Sequence, residues 1–306
     1  MKKMVIFGEC MVELVNRDQE NLAKSFAGDT YNTAVYLKRC AKNISVQYFT
    51  AIGADFLSDE SLFRMGEEEI GTDYVYRCRA RNLGLYMVRT DKHGERTFAY
   101  WRNGSAATQT LNTMTGKLVD VDMFYFSGIS LAILDDAQRE KLFVILDELK
   151  SQGCRIVFDP NYRERLWMNP EEARKWTDRA YSIADIAFPG GDDHLTLYGH
   201  TDTDAIFAHL APFDIGEVVV KNGAIGVHVL QENAHYIVPV ERVEKVVDTT
   251  AAGDAFNGGY LASRLSGGSI TDAASFGAKV AATVISYPGA IMTKEAFFSH
   301  IAPQSA

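Results

Sequence analysis

The sequence predicts an α/β fold: a central, mostly parallel sheet flanked by helices on both faces, with a small β-sheet lid. Three features carry that expectation. Short apolar runs alternate with amphipathic helical patterns along most of the chain, which is how strands buried on both faces and their covering helices are encoded. Two strand-like segments between residues 84 and 102 break the alternation and suggest a piece projecting from the main sheet. Finally, the stretch Asp248–Gly259, DTTAAGDAFNGG, runs from a hydrogen-bonding turn through small residues into an apolar helical pattern.

Taken in order, the first predicted strand is Met4–Phe7, whose apolar run stops at Gly8 and Glu9, too soon for a signal peptide or a membrane span. A cytoplasmic protein is expected. The motif GDTYNTAV opens a helix predicted over Thr30–Ala41, with Asp29 or Thr30 suited to N-cap it. Gly28 permits close backbone approach, and Asn32 lies in the first turn with its amide free for a ligand hydroxyl. A strand over Val46–Ile52 and a helix over Phe56–Glu69 follow. Gly84–Arg89 and Arg96–Arg102 then read as a hairpin with its polar tip at Asp91–Glu95. Period-two alternation puts Phe98, Tyr100 and Arg102 on one face and Trp101 on the other, and Tyr86 shares the face of Tyr100 in a suitable register. Two phenols and a guanidinium make a platform for a polyhydroxylated ligand, with Arg102 able to hold a carboxylate bidentately. They also suit an ordinary edge hairpin.

Beyond the hairpin, strands are predicted at Met123–Phe126, Ile156–Phe158, Ile186–Phe188 and Val218–Val220, with helices over Ala137–Lys150, Pro170–Ala184 and Asp204–Ala211. Asp159-Pro160-Asn161-Tyr162-Arg163 falls at the C-terminal end of a parallel strand, where open α/β sheets bind ligands. Arg163 there is available to neutralise a carboxylate or a phosphate, or to make a surface ion pair. Lys221-Asn222-Gly223-Ala224-Ile225-Gly226 sits at another strand end and suits a turn close to nucleotide phosphates or a plain hairpin turn. An alanine-rich helix over Thr271–Tyr287 ends at Pro288-Gly289-Ala290.

Composition narrows the function classes. A net charge of −9 and a pI near 5.3 argue against general binding to nucleic acid or membrane surfaces, which needs clustered Lys and Arg. Four scattered cysteines, with no CxxC, read as reduced thiols. The seven histidines include no HExxH, and neither GxxxxGK[ST] nor GxGxxG occurs. One domain spanning 1–306 is expected, since no linker or repeat divides the chain.

In DTTAAGDAFNGG, the small residues Ala251, Ala252 and Gly253 leave the first-turn N–H groups of a helix open to an anion. Asp254 in the same turn is repelled by that anion and makes sense facing a hydroxyl, as a base beside an anion hole for phosphoryl transfer. An ordinary helix capped by Asp248 or Asp254 is the other reading of the spacing.

DTTAAGDAFNGG resembles the C-terminal motif DTxGAGDxF of the ribokinase-like (PfkB) sugar kinases, GDTYNTAV resembles their sugar motif, and VVVKNGAIGV is similar to their nucleotide turn. The motifs occur in the family's order and spacing. Within the family, GECMVEL, LGLYMVRTD, GERTFAYWRNGSAA, SGISLAIL and DPNYRERLW look most like members acting on a keto-deoxy sugar acid. The resemblance implies a ribokinase-like fold with lid segments roughly 9–27 and 72–104, ATP and Mg2+ as cofactors, an acid sugar as substrate and a homo-oligomer formed through the lid. It implies Asp254 as catalytic base, the backbone of Ala251, Ala252 and Gly253 as anion hole, and Gly28, Asp29 and Asn32 as sugar ligands. Tyr86, Tyr100 and Arg102 match the lid face, Arg163 a residue near carboxylate and phosphates, and Asn161, Lys221, Gly223 and Gly226 the ATP side. The family's NxxE motif, associated with magnesium, falls on FPGGDDHL, with Gly190 for the asparagine and Asp193 for the glutamate. A monovalent cation near Asp248 is a further implication. A fructokinase or ribokinase type of kinase, or a non-catalytic sugar-binding sensor, is the alternative function.

Overall fold

The computed structural model describes residues 1–304 except 17, 19, 91–95 and 233. In chain order the elements are β1 (Lys3–Phe7), β2 (Met11–Asn16), β3 (Leu22–Ala27), α1 (Asp29–Cys40), β4 (Ser45–Ile52), α2 (Phe56–Glu67), β5 (Gly71–Arg77), β6 (Leu85–Thr90) and β7 (Arg96–Trp101). Then come α3 (Thr110–Thr113), β8 (Met123–Ser127), α4 (Gly128–Ala132), α5 (Asp136–Ser151), β9 (Arg155–Asp159), α6 (Pro170–Ile183), β10 (Ile186–Ala187), α7 (Gly191–Tyr198) and α8 (Thr203–Leu210). The chain ends with β11 (Glu217–Lys221), β12 (Val227–Gln231), β13 (Ala234–Val238), α9 (Ala252–Leu265), α10 (Ile270–Val284) and α11 (Lys294–Phe298).

The large sheet has nine strands in the order β13-β12-β11-β10-β9-β8-β1-β4-β5. From β11 to β5 every pairing is parallel, while β12 and β13 extend one edge antiparallel. Parallel strands need crossovers that return over the sheet, and those crossovers are the covering helices. Strand β1 shows the consequence for packing: Met4 and Ile6 join the apolar layer of α1, α9 and α10, whereas Val5 and Phe7 join the layer of α5 and α6. Both faces are buried, so the strand has no polar alternation to show. Each fully buried large side chain in these layers contributes about 1.5–3 kcal/mol.

A second sheet of four strands, β3-β2-β6-β7, draws its strands from the segments expected to form the lid. Its hairpin pairs Tyr86 with Tyr100 and Val88 with Phe98. The expected hairpin tip, Asp91–Glu95, lies outside the described residues. Strand β5, inside the expected lid segment 72–104, instead pairs with β4 in the large sheet, because α2 provides the crossover that parallel pairing requires. No helix among the described residues is long and apolar enough to cross a membrane.

Candidate active site

The C-terminal ends of the parallel strands meet the N-termini of α1 and α9, the position where open α/β sheets take ligands. Helix α9 begins after Ala251, whose φ of 63° is left-handed. A Cβ in that region costs roughly 1–2 kcal/mol, and here the turn ends in a helix start with no side-chain cap. The Ala252 N–H turns back to the Thr249 carbonyl at 3.3 Å, so within the first turn the N–H groups of Gly253 and Asp254 are the ones left to an external acceptor.

Asp254 faces α1. Asn32 donates from Nδ2 to Asp254 Oδ2 at 2.9 Å, and its own Oδ1 lies 3.4 Å from the Gly28 N–H. Gly28 must be glycine because a Cβ there would come within 2.1 Å of the Glu9 carbonyl oxygen. Burial pushes the Asp254 carboxyl up to about 8, Asp29 and Asp159 add to the rise, and the Asn32 amide and Lys221 oppose it. A carboxyl raised toward neutrality is tuned for proton transfer at ordinary pH. Asp29 itself accepts from Asn161 Nδ2 at 3.0 Å. Asn161, placed by sequence on the ATP side, thus ties the DPNYR segment to the start of α1, helped by a left-handed φ of 33°.

Under the helix N-terminus lies a polar group that the sequence reading did not assign. Asp159, at the end of β9, takes Lys221 Nζ at 2.7 Å and Asn257 Nδ2 at 2.5 Å. Asn257 also donates to the Tyr125 hydroxyl at 3.0 Å, and its Oδ1 lies 3.3 Å from Lys221 Nζ. Lys221 is expected from the turn motif, but its ammonium reaches toward Gly253, where an added Cβ would lie 3.5 Å from Nζ. The spacing from Asp254 to Asn257, one helical turn on the same face, is the signal that could have found Asn257. Gly223 and Gly226 have φ of 53° and 130° and form the tight antiparallel connection from β11 to β12.

Arg163 is more than half exposed; Nη1 donates to the Tyr162 carbonyl at 2.8 Å and lies 3.5 Å from Asp193. Burial, with help from Asp159, raises the Asp193 carboxyl to about 6 against the pull of Arg163 and Lys221. Among the described residues no group of three or more His, Cys, Asp or Glu side chains could hold a metal ion.

The lid places Tyr86, Phe98 and Tyr100 on one face, with the Tyr86 and Tyr100 rings 5.7 Å apart and those of Phe98 and Tyr100 stacked at 6.2 Å. Met11, Ala27, Tyr86, Val88 and Ala290 cluster there, and Phe98 and Ala251 pack against them. That face accordingly covers the start of α9. The Tyr86 hydroxyl donates to Glu13 Oε1 at 2.6 Å. Arg102 departs from the expected picture. Strand β7 ends at Trp101, and the buried Arg102 guanidinium brings Nη2 to 2.6 Å from Glu9 Oε2. The sequence reading gives Glu9 and Glu13 no role, although carboxylates flanking the short apolar stretch of residues 10–12 signal burial with a partner.

The sequence matches the model of the pfkB family carbohydrate kinases over residues 1–296. It is 43% identical over 305 residues to the 2-dehydro-3-deoxygluconokinase of Dickeya dadantii (strain 3937), covering 96% of this chain and 98% of that protein. The Escherichia coli (strain K12) 2-dehydro-3-deoxygluconokinase is 42% identical with the same coverage. Among solved structures, fructokinase from Vibrio cholerae O395, with fructose, ADP and calcium ion bound, is similar with a TM-score of 0.85 and 25% identity, covering 99% of each chain. With its two-sheet architecture and the anion-accepting start of α9, the chain belongs to the pfkB family of carbohydrate kinases.

Proposed function

We propose that this kinase transfers the γ-phosphoryl group of ATP to the terminal hydroxyl of 2-keto-3-deoxygluconate (2-dehydro-3-deoxygluconate), giving the 6-phosphate. The observation that carries the chemistry is Asp254, held by Asn32 at the open first turn of α9 with its carboxyl raised to about 8. Identities of 43% and 42% to two 2-dehydro-3-deoxygluconokinases support the substrate.

In this reading Asp254 takes the proton of the attacking hydroxyl as the new O–P bond forms and the bond to the β-phosphate oxygen breaks. The backbone of Ala251, Ala252 and Gly253 serves as the anion hole, with the Asp254 N–H beside it, and stabilises the spreading charge. Lys221, anchored by Asp159, adds a cation below Gly253. Gly28, Asp29 and Asn32 orient the sugar, and Tyr86, Tyr100 and Arg102 receive it from the lid side, Arg102 taking the carboxylate. Asn161, Arg163, Gly223 and Gly226 serve the nucleotide side. A divalent metal such as Mg2+ takes most of its ligands from water and phosphates, so the single carboxylate of Asp193 fits it without an all-protein cage. When bound, it neutralises charge on the transferring phosphates. A monovalent cation beside Asp248 and a homo-oligomer formed through the lid complete the proposal.

The test is Mg2+-dependent ATP consumption against 2-keto-3-deoxygluconate, its galactonate epimer, fructose, ribose and fructose 6-phosphate. Turnover confined to the keto-deoxy acids is expected. A neutral sugar turned over best would move the assignment to a fructokinase or ribokinase type, and silence on the whole panel would point to a sensor.

A further inference from the structure

Arg102 and Glu9 form a buried pair whose geometry is incomplete. Both residues are more than nine-tenths buried, and Nη2 lies 2.6 Å from Oε2, yet Nε and Nη2 of Arg102 and Oε2 of Glu9 make no aligned hydrogen bond. The Nε and Nη2 donors are the parallel pair on one edge of a guanidinium, the edge that forks onto a carboxylate. Arg39 shows the same edge in use: Nε and Nη2 donate to the two oxygens of Glu68 at 2.9 and 2.7 Å. In Arg102 the edge is only half engaged: among the described residues Glu9 Oε2 approaches it at Nη2, and Nε has no hydrogen-bond partner.

Glu9 cannot swing round to do so. Its Oε1 accepts from the Ser105 hydroxyl at 2.5 Å, and an added Cβ on Gly84 would come within 2.5 Å of that oxygen. Its carbonyl packs on Gly28, directly before α1. The residue thus spans the end of β1, the segment entering the lid hairpin, the segment leaving it, and the sugar-side helix.

We propose that Glu9 is a positioning residue for the substrate carboxylate: it anchors and charge-balances Arg102 from the Nη2 end at the junction of lid and body, and turns the unpartnered Nε side of the guanidinium to the acid group of the sugar. This rests on the reading of Arg102 as the carboxylate ligand. Removing one charge of a buried pair strands the other, so without Glu9 the guanidinium turns toward water and the fork is lost. A role in stability alone would weaken acid and neutral ligands together.

The experiment is calorimetric titration of the full-length protein with 2-keto-3-deoxygluconate and with its C1 carboxamide, for wild type, Glu9→Gln, Arg102→Gln and the double variant. Glu9→Gln is expected to weaken the acid about tenfold or more, as for a lost charged hydrogen bond, and to leave the carboxamide within about twofold. The double variant is expected to bind the acid no more weakly than Arg102→Gln alone, because Glu9 acts through Arg102. Equal weakening of acid and carboxamide by Glu9→Gln, or additive losses in the double variant, overturns the inference while leaving Arg102 as the ligand. An unchanged acid affinity in Arg102→Gln overturns the carboxylate reading itself, and this inference with it. If Glu9→Gln does not fold, Glu9→Asp keeps the charge and loses the reach. It is expected to weaken the acid selectively, and unselective weakening overturns the proposal.

Discussion

Asp254 meets two opposed demands, because the burial and neighbouring carboxylates that raise its carboxyl to about 8 also make the ionised form costly to the fold. Its folded value lies above the ordinary value of about 4. The unfolded chain therefore ionises first, and the group withdraws stability as pH rises from the unfolded value toward the folded one. Asp254→Asn removes that loss: the variant is expected to melt about 1–3 °C above wild type at pH 8, with the difference shrinking toward pH 4.5, measured by scanning calorimetry. The same variant is expected to bind sugar and lose turnover by about two or more orders of magnitude, and near wild-type turnover would remove Asp254 from the base role. For wild type, kcat/KM for the sugar is expected to rise about tenfold per pH unit below a limb set by this carboxyl, then level off. A flat profile from pH 6 to 8 would show that another group limits the reaction. The position of Asp254 was legible in the sequence because small residues before a carboxylate at a helix start are a local pattern. Asn32 was legible from its place in the first turn of a helix, but its contact with Asp254 crosses 222 positions and has no local signal.

At the scale of elements, the site depends on how α9 is seated on the strand ends. Glu217 opens β11 almost fully buried, accepting from the Tyr260 hydroxyl at 2.6 Å and from Arg264 Nη2 at 2.9 Å, both on α9. At the other end of β11, Lys221 reaches Asp159 and Asn257. One strand thus fixes the helix at two heights. Glu217→Ala strands Arg264 and is expected to cost about 3 kcal/mol in denaturant unfolding, with KM for sugar and ATP little changed; a large rise in KM at unchanged stability would contradict this seating role. The alternation of strands and helices was readable because both-face burial leaves continuous apolar runs, as in Val218–Val220. Strands β2 and β3 were legible only as part of a lid segment, since MVELVN and LAKSFA mix apolar and charged residues. The placement of Arg102 on the hairpin face failed for a related reason: period two holds only while the strand continues, and β7 stops one residue earlier, where Glu9 competes for the guanidinium.

At the scale of the whole molecule, the two faces of the lid have different fates. One carries Tyr86 and Phe98 in the cluster that packs with Ala251 at the start of α9, and Tyr100, stacked on Phe98, is half exposed at its margin. On the other, Val12 and Leu85 reach the main core, while Trp101, paired with Leu85, is 60% exposed. A large aromatic left in water beside half-buried Leu14 and Met87 is the kind of surface that a second subunit covers. If lids pair across such a surface, assembly also steadies the sheet that carries Tyr86 and Tyr100, so oligomer state and sugar affinity are coupled. Trp101→Lys places a charge in that contact without touching the Tyr86 face. It is expected to lower the sedimenting mass to that of a single chain at micromolar concentration and to raise KM for the sugar more than KM for ATP, because the residues proposed for the nucleotide side rest on the large sheet. A wild type that already sediments as a single chain would remove the lid from any role in assembly. An unchanged assembly in Trp101→Lys would move the interface to another surface.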